Sequence, residues 1–181
     1  TIPQFTIPYR MGWQLAVEEV NAAGGLLGRK VEVISRDDAG KPDDAIRLAT
    51  ELVSNEKVAL LAGTFLSNVG LAVAEFALRN KVLFVAAEPL TDAMVWEKGN
   101  RYTFRLRPST FMQTRMLVEA IRGKPAKRWA IVAPNYEYGQ SAVATFETLL
   151  KTGQPDAGFV VALATPLGKV DSASVVQALA D

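Results

Sequence analysis

The residues best suited to chemistry lie in the segment Gly63-Thr64-Phe65-Leu66-Ser67, which follows a short apolar run and opens a helical pattern. The first N–H groups of a helix have no partner inside it, and a nearby hydroxyl adds another donor. Together they suit the carboxylate of a small ligand. The same serine also reads as a plain N-cap, a position where Ser is common, and spacing alone leaves both open. A nucleophilic role fits badly. The elbow pattern needs Gly two residues before the serine, where Phe65 stands, and the chain has no histidine to act as base.

Other chemistry is narrowed in the same way. The absence of both Cys and His removes thiol catalysis, Cys/His zinc sites and a histidine general base. Asp37-Asp38 and Asp43-Asp44 follow a strand pattern and precede a helix start, where aspartates more often cap or face solvent than bind metal. Gly24-Gly25-Leu26-Leu27-Gly28 lies between a helix and a strand, the reverse of the order a dinucleotide loop requires. No Walker-type loop occurs, and no cofactor is expected. Met112 and Met116, one helical turn apart, read as core. Tyr136, Tyr138 and Phe5 are aromatics in loops or near an end, where packing and ligand contact both fit.

The elements that must position these groups alternate along the chain. A helical stripe through Tyr9, Trp13, Ala16, Val17 and Val20 stops at Gly24-Gly25, as a left-handed C-cap would make it. Strand patterns follow at Lys30–Ser35, Val58–Gly63, Val82–Ala87, Tyr102–Arg105, Trp129–Ala133 and Phe159–Leu163. Helical patterns lie between them, opening at Pro42, about Ser67, Pro108-Ser109-Thr110, Tyr138 and Ser172. The runs at Val58 and Val82 are apolar throughout, as expected for parallel strands covered on both faces. This rhythm predicts an α/β fold of parallel sheets with helices on both faces. Ligands of such sheets sit beyond the C-terminal ends of the strands. That singles out loops 37–40, 63–67, 88–91 and 135–138.

The chain has 181 residues, 49% of them hydrophobic and 22% charged, with a net charge of +1. The near-zero charge argues against a nucleic-acid partner, and no apolar run reaches the ~18 residues of a membrane-spanning helix. The Gly123-Lys124-Pro125 break predicts two lobes, residues 1–122 and 123–181. The first is expected to lack its initial strand and the second to be only begun.

Residues 16–31, Ala-Val-Glu-Glu-Val-Asn-Ala-Ala-Gly-Gly-Leu-Leu-Gly-Arg-Lys-Val, resemble the first helix and turn of the leucine/isoleucine/valine-binding protein family. These are type I periplasmic solute-binding proteins of ABC importers. Asp37-Asp38 with Pro42 and Ala45, the 63–67 loop, and Ala133-Pro134-Asn135-Tyr136-Glu137-Tyr138-Gly139 are similar to that family too. The resemblance implies two Rossmann-like lobes that close on a ligand without chemistry. It further implies an exported, periplasmic protein whose signal peptide is not in this chain, and membrane permease partners.

For the site, the resemblance implies that Ser67 holds a carboxylate and that an aromatic near Phe5 lines the cleft; beside Ser67, Phe65 and Leu66 are expected to shelter the ligand body. Tyr138 would reach in from the second lobe. The segment Glu88-Pro89-Leu90-Thr91 departs from the family's amino-acid binders. Without a gap Leu90 takes the place of a gripping threonine, and with a shift of one residue Thr91 does. Glu88 is the candidate partner for an ammonium group. The ligand is therefore expected to be a branched-chain amino acid or a related aliphatic or aromatic acid. The alternative is a sensory or regulatory ligand-binding module of the same fold.

Overall fold

The computed structural model describes residues 3–168 and 170–180. It divides into two compact units, residues 1–57 and 58–181.

In the first unit, helix α1 (Pro3–Ala22) begins earlier than the Tyr9 stripe implied and takes in Phe5. It ends where expected. Gly24 and Gly25 have φ of 99° and 79°, and Gly25 N donates back to Val20 O at 2.8 Å. The Asn21 side chain then fastens the returning chain, donating to Val31 O and accepting from Val31 N at 2.9 and 2.7 Å. The segment expected as a strand, residues 30–35, runs without regular structure. A strand exists only through its ladder, and no described segment pairs with this one. Asp37 and Asp38 accept from the N–H groups of Ala39 and Gly40 and so close a local turn. Helix α2 (Pro42–Ser54) follows, with Pro in its first turn beside Asp43 and Asp44 and with Ala45, Leu48 and Ala49 buried.

The second unit holds two parallel sheets. Strands β1 (Leu60–Gly63), β2 (Leu83–Ala86) and β3 (Thr103–Arg105) pair in that order. Helix α3 (Ser67–Asn80) connects the first two and buries Val69, Val73 and Ala77. Leu61, Phe84 and Ala86 are buried, but Leu60, Leu83 and Phe104 on the opposite face are exposed.

The second sheet pairs β4 (Arg128–Pro134) with β5 (Gly158–Thr165) around helix α5 (Glu137–Gly153), and α6 (Ser172–Ala180) comes last. Its core is Phe146, Leu150 and Ala157, packed against Trp129, Ile131 and Phe159. Helix α4 (Thr110–Ala120) contributes Val118, with Ile121 just beyond it, to this same core. Helix α4 thus packs with the second sheet. Its buried face also differs from the one expected. Met112 and Met116 are exposed, while Thr110 and Thr114 are buried. Hydroxyls at the buried positions of a helix are tolerated only where they find partners, and here they do.

Candidate functional site

Two loops meet at the C-terminal ends of β1 and β2. Gly63 has φ 119° and Thr64 φ 60°. A left-handed conformation at a residue with a Cβ costs roughly 1–2 kcal/mol and is characteristic of functional turns. The Thr64 Oγ1 and Asn68 Oδ1 atoms are buried and make no hydrogen bond with the described residues. A buried polar atom left so is uncommon and calls for an explanation.

Ser67 is 1% exposed and is the first residue of α3; Leu66 holds the N-cap position and makes no side-chain cap. The plain cap reading is thus replaced by another role. Ser67 Oγ accepts from Leu90 N at 3.2 Å and Thr91 N at 3.3 Å, tying the second loop to the first. A hydroxyl oxygen has two lone pairs for these bonds and one proton left to donate.

The second loop packs tightly. Pro89 is buried against Gly70, where a Cβ would meet Pro89 Cγ at 2.4 Å, so only glycine fits. Leu90 is half-buried. Glu88 pairs with Arg107 at 2.9 Å. Thr91 is fully enclosed: its hydroxyl donates to Glu137 Oε1 at 2.6 Å, and its carbonyl accepts from Arg105 at 2.8 Å.

Asp92, in the 3-10 turn Asp92–Met94, is also buried. Its carboxylate accepts from Thr110 Oγ1 (2.6 Å), Phe111 N (3.0 Å) and Thr145 Oγ1 (3.2 Å). Burial pushes this carboxyl's pKa up, but the hydrogen bonds from Thr110, Phe111 N, Ser109 and Thr145 outweigh that and hold it below the ordinary value. Arg105 is shifted down by burial, partly offset by the Asp92 charge.

Of the expected residues, the second unit brings Ser67, Phe65, Leu66, Glu88, Pro89, Leu90 and Thr91 into one pair of loops, with Leu66 buried and Phe65 half-buried. Tyr138 lies in the first turn of α5, half-buried, its ring 6.0 Å from that of Tyr136. Gly139 lets that turn approach β4, since a Cβ there would fall 1.9 Å from Pro134 O. Phe5 lies on α1, in the other unit. The sequence reading missed Asp92, Thr110, Glu137, Ser141 and Thr145. The signal was available: Glu137, Ser141 and Thr145 recur every four residues, one face of α5.

A profile of the periplasmic binding protein family matches residues 4–181. The chain belongs to this family. Among its curated relatives is a Leu/Ile/Val-binding protein homolog 7 from Brucella suis biovar 1 (strain 1330), 30% identical over 174 residues. That alignment covers 91% of this chain and 43% of the relative. A solute binding protein of an ABC transporter from Rhodopseudomonas palustris BisB5, solved with 3,4-dihydroxybenzoic acid, matches at TM-score 0.83 and 26% identity. It is matched over 98% of this chain and 48% of its own. A counterpart from Rhodopseudomonas palustris HaA2, solved with p-hydroxybenzoic acid, matches at TM-score 0.76 and 28% identity, over 84% and 41%. The chain thus spans about half the length of these periplasmic binding proteins.

Proposed function

We propose that this chain supplies one part of the ligand site of an exported solute receptor that delivers an aromatic monocarboxylic acid to an ABC importer. The observation that carries the ligand class is the Glu88–Arg107 ion pair beside Leu90. The carboxylate best placed to receive an ammonium group is already matched by a guanidinium. Leu90, which takes the place of the gripping threonine where the segment is aligned without a gap, has an apolar side chain. Thr64, at the strained end of β1, offers a hydroxyl donor to the acid. The two Rhodopseudomonas proteins solved with hydroxylated benzoic acids support the same class.

Binding proceeds without chemistry in this reading. Ser67 Oγ accepts two backbone N–H groups, and the chain has no histidine to activate it. The ligand is caught between lobes, Tyr138 closing over it, and the closed form is the one the permease reads. The packing of α4 supports a lobe crossing near Pro108 in place of 122/123.

A thermal-shift series on the full-length gene product tests this, with benzoate and hydroxybenzoates set against leucine and valine. An acid present at about 100 times its dissociation constant adds ~2.7 kcal/mol of stability, so its melting temperature rises clearly. A rise with leucine or valine and none with the aromatic acids overturns the ligand class. It would restore the branched-chain reading that the Brucella relative's name suggests.

A further inference from the structure

Helix α5 carries a polar stripe, Glu137, Ser141 and Thr145, that the binding reading leaves unused. Each member meets residue 91 or 92 at the end of the ligand loop. Glu137 Oε1 accepts from Thr91 Oγ1 at 2.6 Å. Ser141 Oγ accepts from Asp92 N at 3.5 Å and stands 2.6 Å from Thr110 Oγ1. Thr145 Oγ1 donates to Asp92 Oδ2 at 3.2 Å. Helix and loop are far apart in sequence, yet all three members of the stripe meet the consecutive residues Thr91 and Asp92.

We propose that Glu137 is a positioning residue for the ligand loop: through the enclosed Thr91 hydroxyl it fixes where Leu90 and Thr91 stand over Ser67. The chain of contacts is continuous. Ser67 Oγ, in the first turn of α3, holds Leu90 N and Thr91 N, and Thr91 Oγ1 holds Glu137, in the first turn of α5. Glu137 precedes Tyr138, so the same turn of α5 that carries the aromatic also sets the loop. Thr91 has no exposed surface. Its hydroxyl acts through Glu137 and not on a ligand, which separates it from Leu90, the half-buried residue beside it. The position of the loop is thereby coupled to α5, and any ligand resting on the loop senses that helix. Arg105 reinforces the arrangement by donating to Thr91 O. This inference rests on the solute-receptor reading only for its effect on affinity; the coupling itself needs no ligand.

Amide hydrogen exchange on the ligand-free, full-length receptor is the direct test. Thr91→Val and Glu137→Leu each remove the bond, and each should speed exchange of the Leu90 and Thr91 amides by about tenfold, the equivalent of one lost hydrogen bond. Glu137→Gln keeps an acceptor oxygen and should exchange within about twofold of the wild type. The double variant Thr91→Val/Glu137→Leu should be no faster than Thr91→Val alone, which removes the Glu137 contact together with the hydroxyl's bond from Ala93 N. Wild-type exchange at both amides in Glu137→Leu overturns the proposal, as does a double variant whose effects simply add. Affinity for the acid giving the largest thermal shift adds a second reading. Glu137→Leu should bind it about tenfold more weakly, chiefly through faster release, and Glu137→Gln should bind it normally. If the wild type binds none of the acids, the ligand reading fails while the exchange experiment still decides the coupling. If exchange responds and affinity does not, the coupling stands and the positioning role is overturned.

Discussion

Helix α5 is held in two different ways along its length. Its first turns meet Thr91 and Asp92 through Glu137, Ser141 and Thr145, hydroxyls and carboxylates at hydrogen-bond distance. Its later turns press Phe146 and Leu150 onto Trp129 and Phe159, with ring centroids 6.3 and 6.0 Å from Phe146 in edge-on geometry. Apolar burial is strong but nearly indifferent to direction. Hydrogen bonds contribute less net energy, yet they fail outside a narrow range of distance and angle. The apolar end therefore secures the helix to the sheet, and the polar end determines the angle at which it meets the loop.

The contrast can be broken from either side. Leu150→Ala, at a residue 1% exposed, should cost about 2–5 kcal/mol through lost burial and the cavity left behind. A denaturant titration reads this directly, and a cost below about 1 kcal/mol would mean that the cluster is not what anchors α5.

Asp92→Asn should cost less, about 1–3 kcal/mol, because donors at its polar end lose a charged acceptor. This loss carries a pH signature. The Asp92 pKa is lowered in the folded protein, so its stabilisation is complete above the ordinary value of about 3.9 and disappears as pH falls through the lowered one. The melting-temperature gap between wild type and Asp92→Asn should accordingly narrow below about pH 3.9. A gap independent of pH would show that the hydroxyls do not respond to the charge. Leu150→Ala should show no such dependence, which separates the two ends of the helix. The smallest effect belongs to the surface. Glu88→Gln removes an ion pair whose Arg107 side chain is half exposed and should change stability by about 0–1 kcal/mol.

Much of this arrangement was legible in the sequence. Parallel α/β layers followed from the alternation of apolar runs with helical stripes, and the Gly24-Gly25 stop followed from the need for positive φ. The start of α4 was readable because Ser109 is a true cap, accepting from Met112 N. What escaped was whatever depended on a partner distant in sequence. Residues 30–35 have the composition of a strand, but pairing is a property of two segments. Met112 and Met116 are apolar at helical spacing, yet the buried side of α4 is the one carrying Thr110 and Thr114, whose hydroxyls reach Asp92 and the helix's own carbonyls. Ser67 was recognised as special. That its oxygen would turn to Leu90 and Thr91 depends on a contact 23 and 24 residues away. The Glu137-Ser141-Thr145 stripe was visible as a spacing, but hydroxyls at helical spacing usually face water. Only the buried Asp92 across from them reveals the reason.

The aromatic contacts give the two ends of α5 separate optical signatures. Trp129 is half-buried against Phe146. Trp96 is mostly exposed and stacks edge-on with Phe111 at 5.4 Å, and the Phe111 amide is held by Asp92. One indole thus emits from an apolar setting at the anchored end and the other from a wet setting next to the polar junction. With Trp13 of α1 replaced by Phe, these two indoles form a pair of fluorophores for watching whether the angle of the helix changes while its anchor holds.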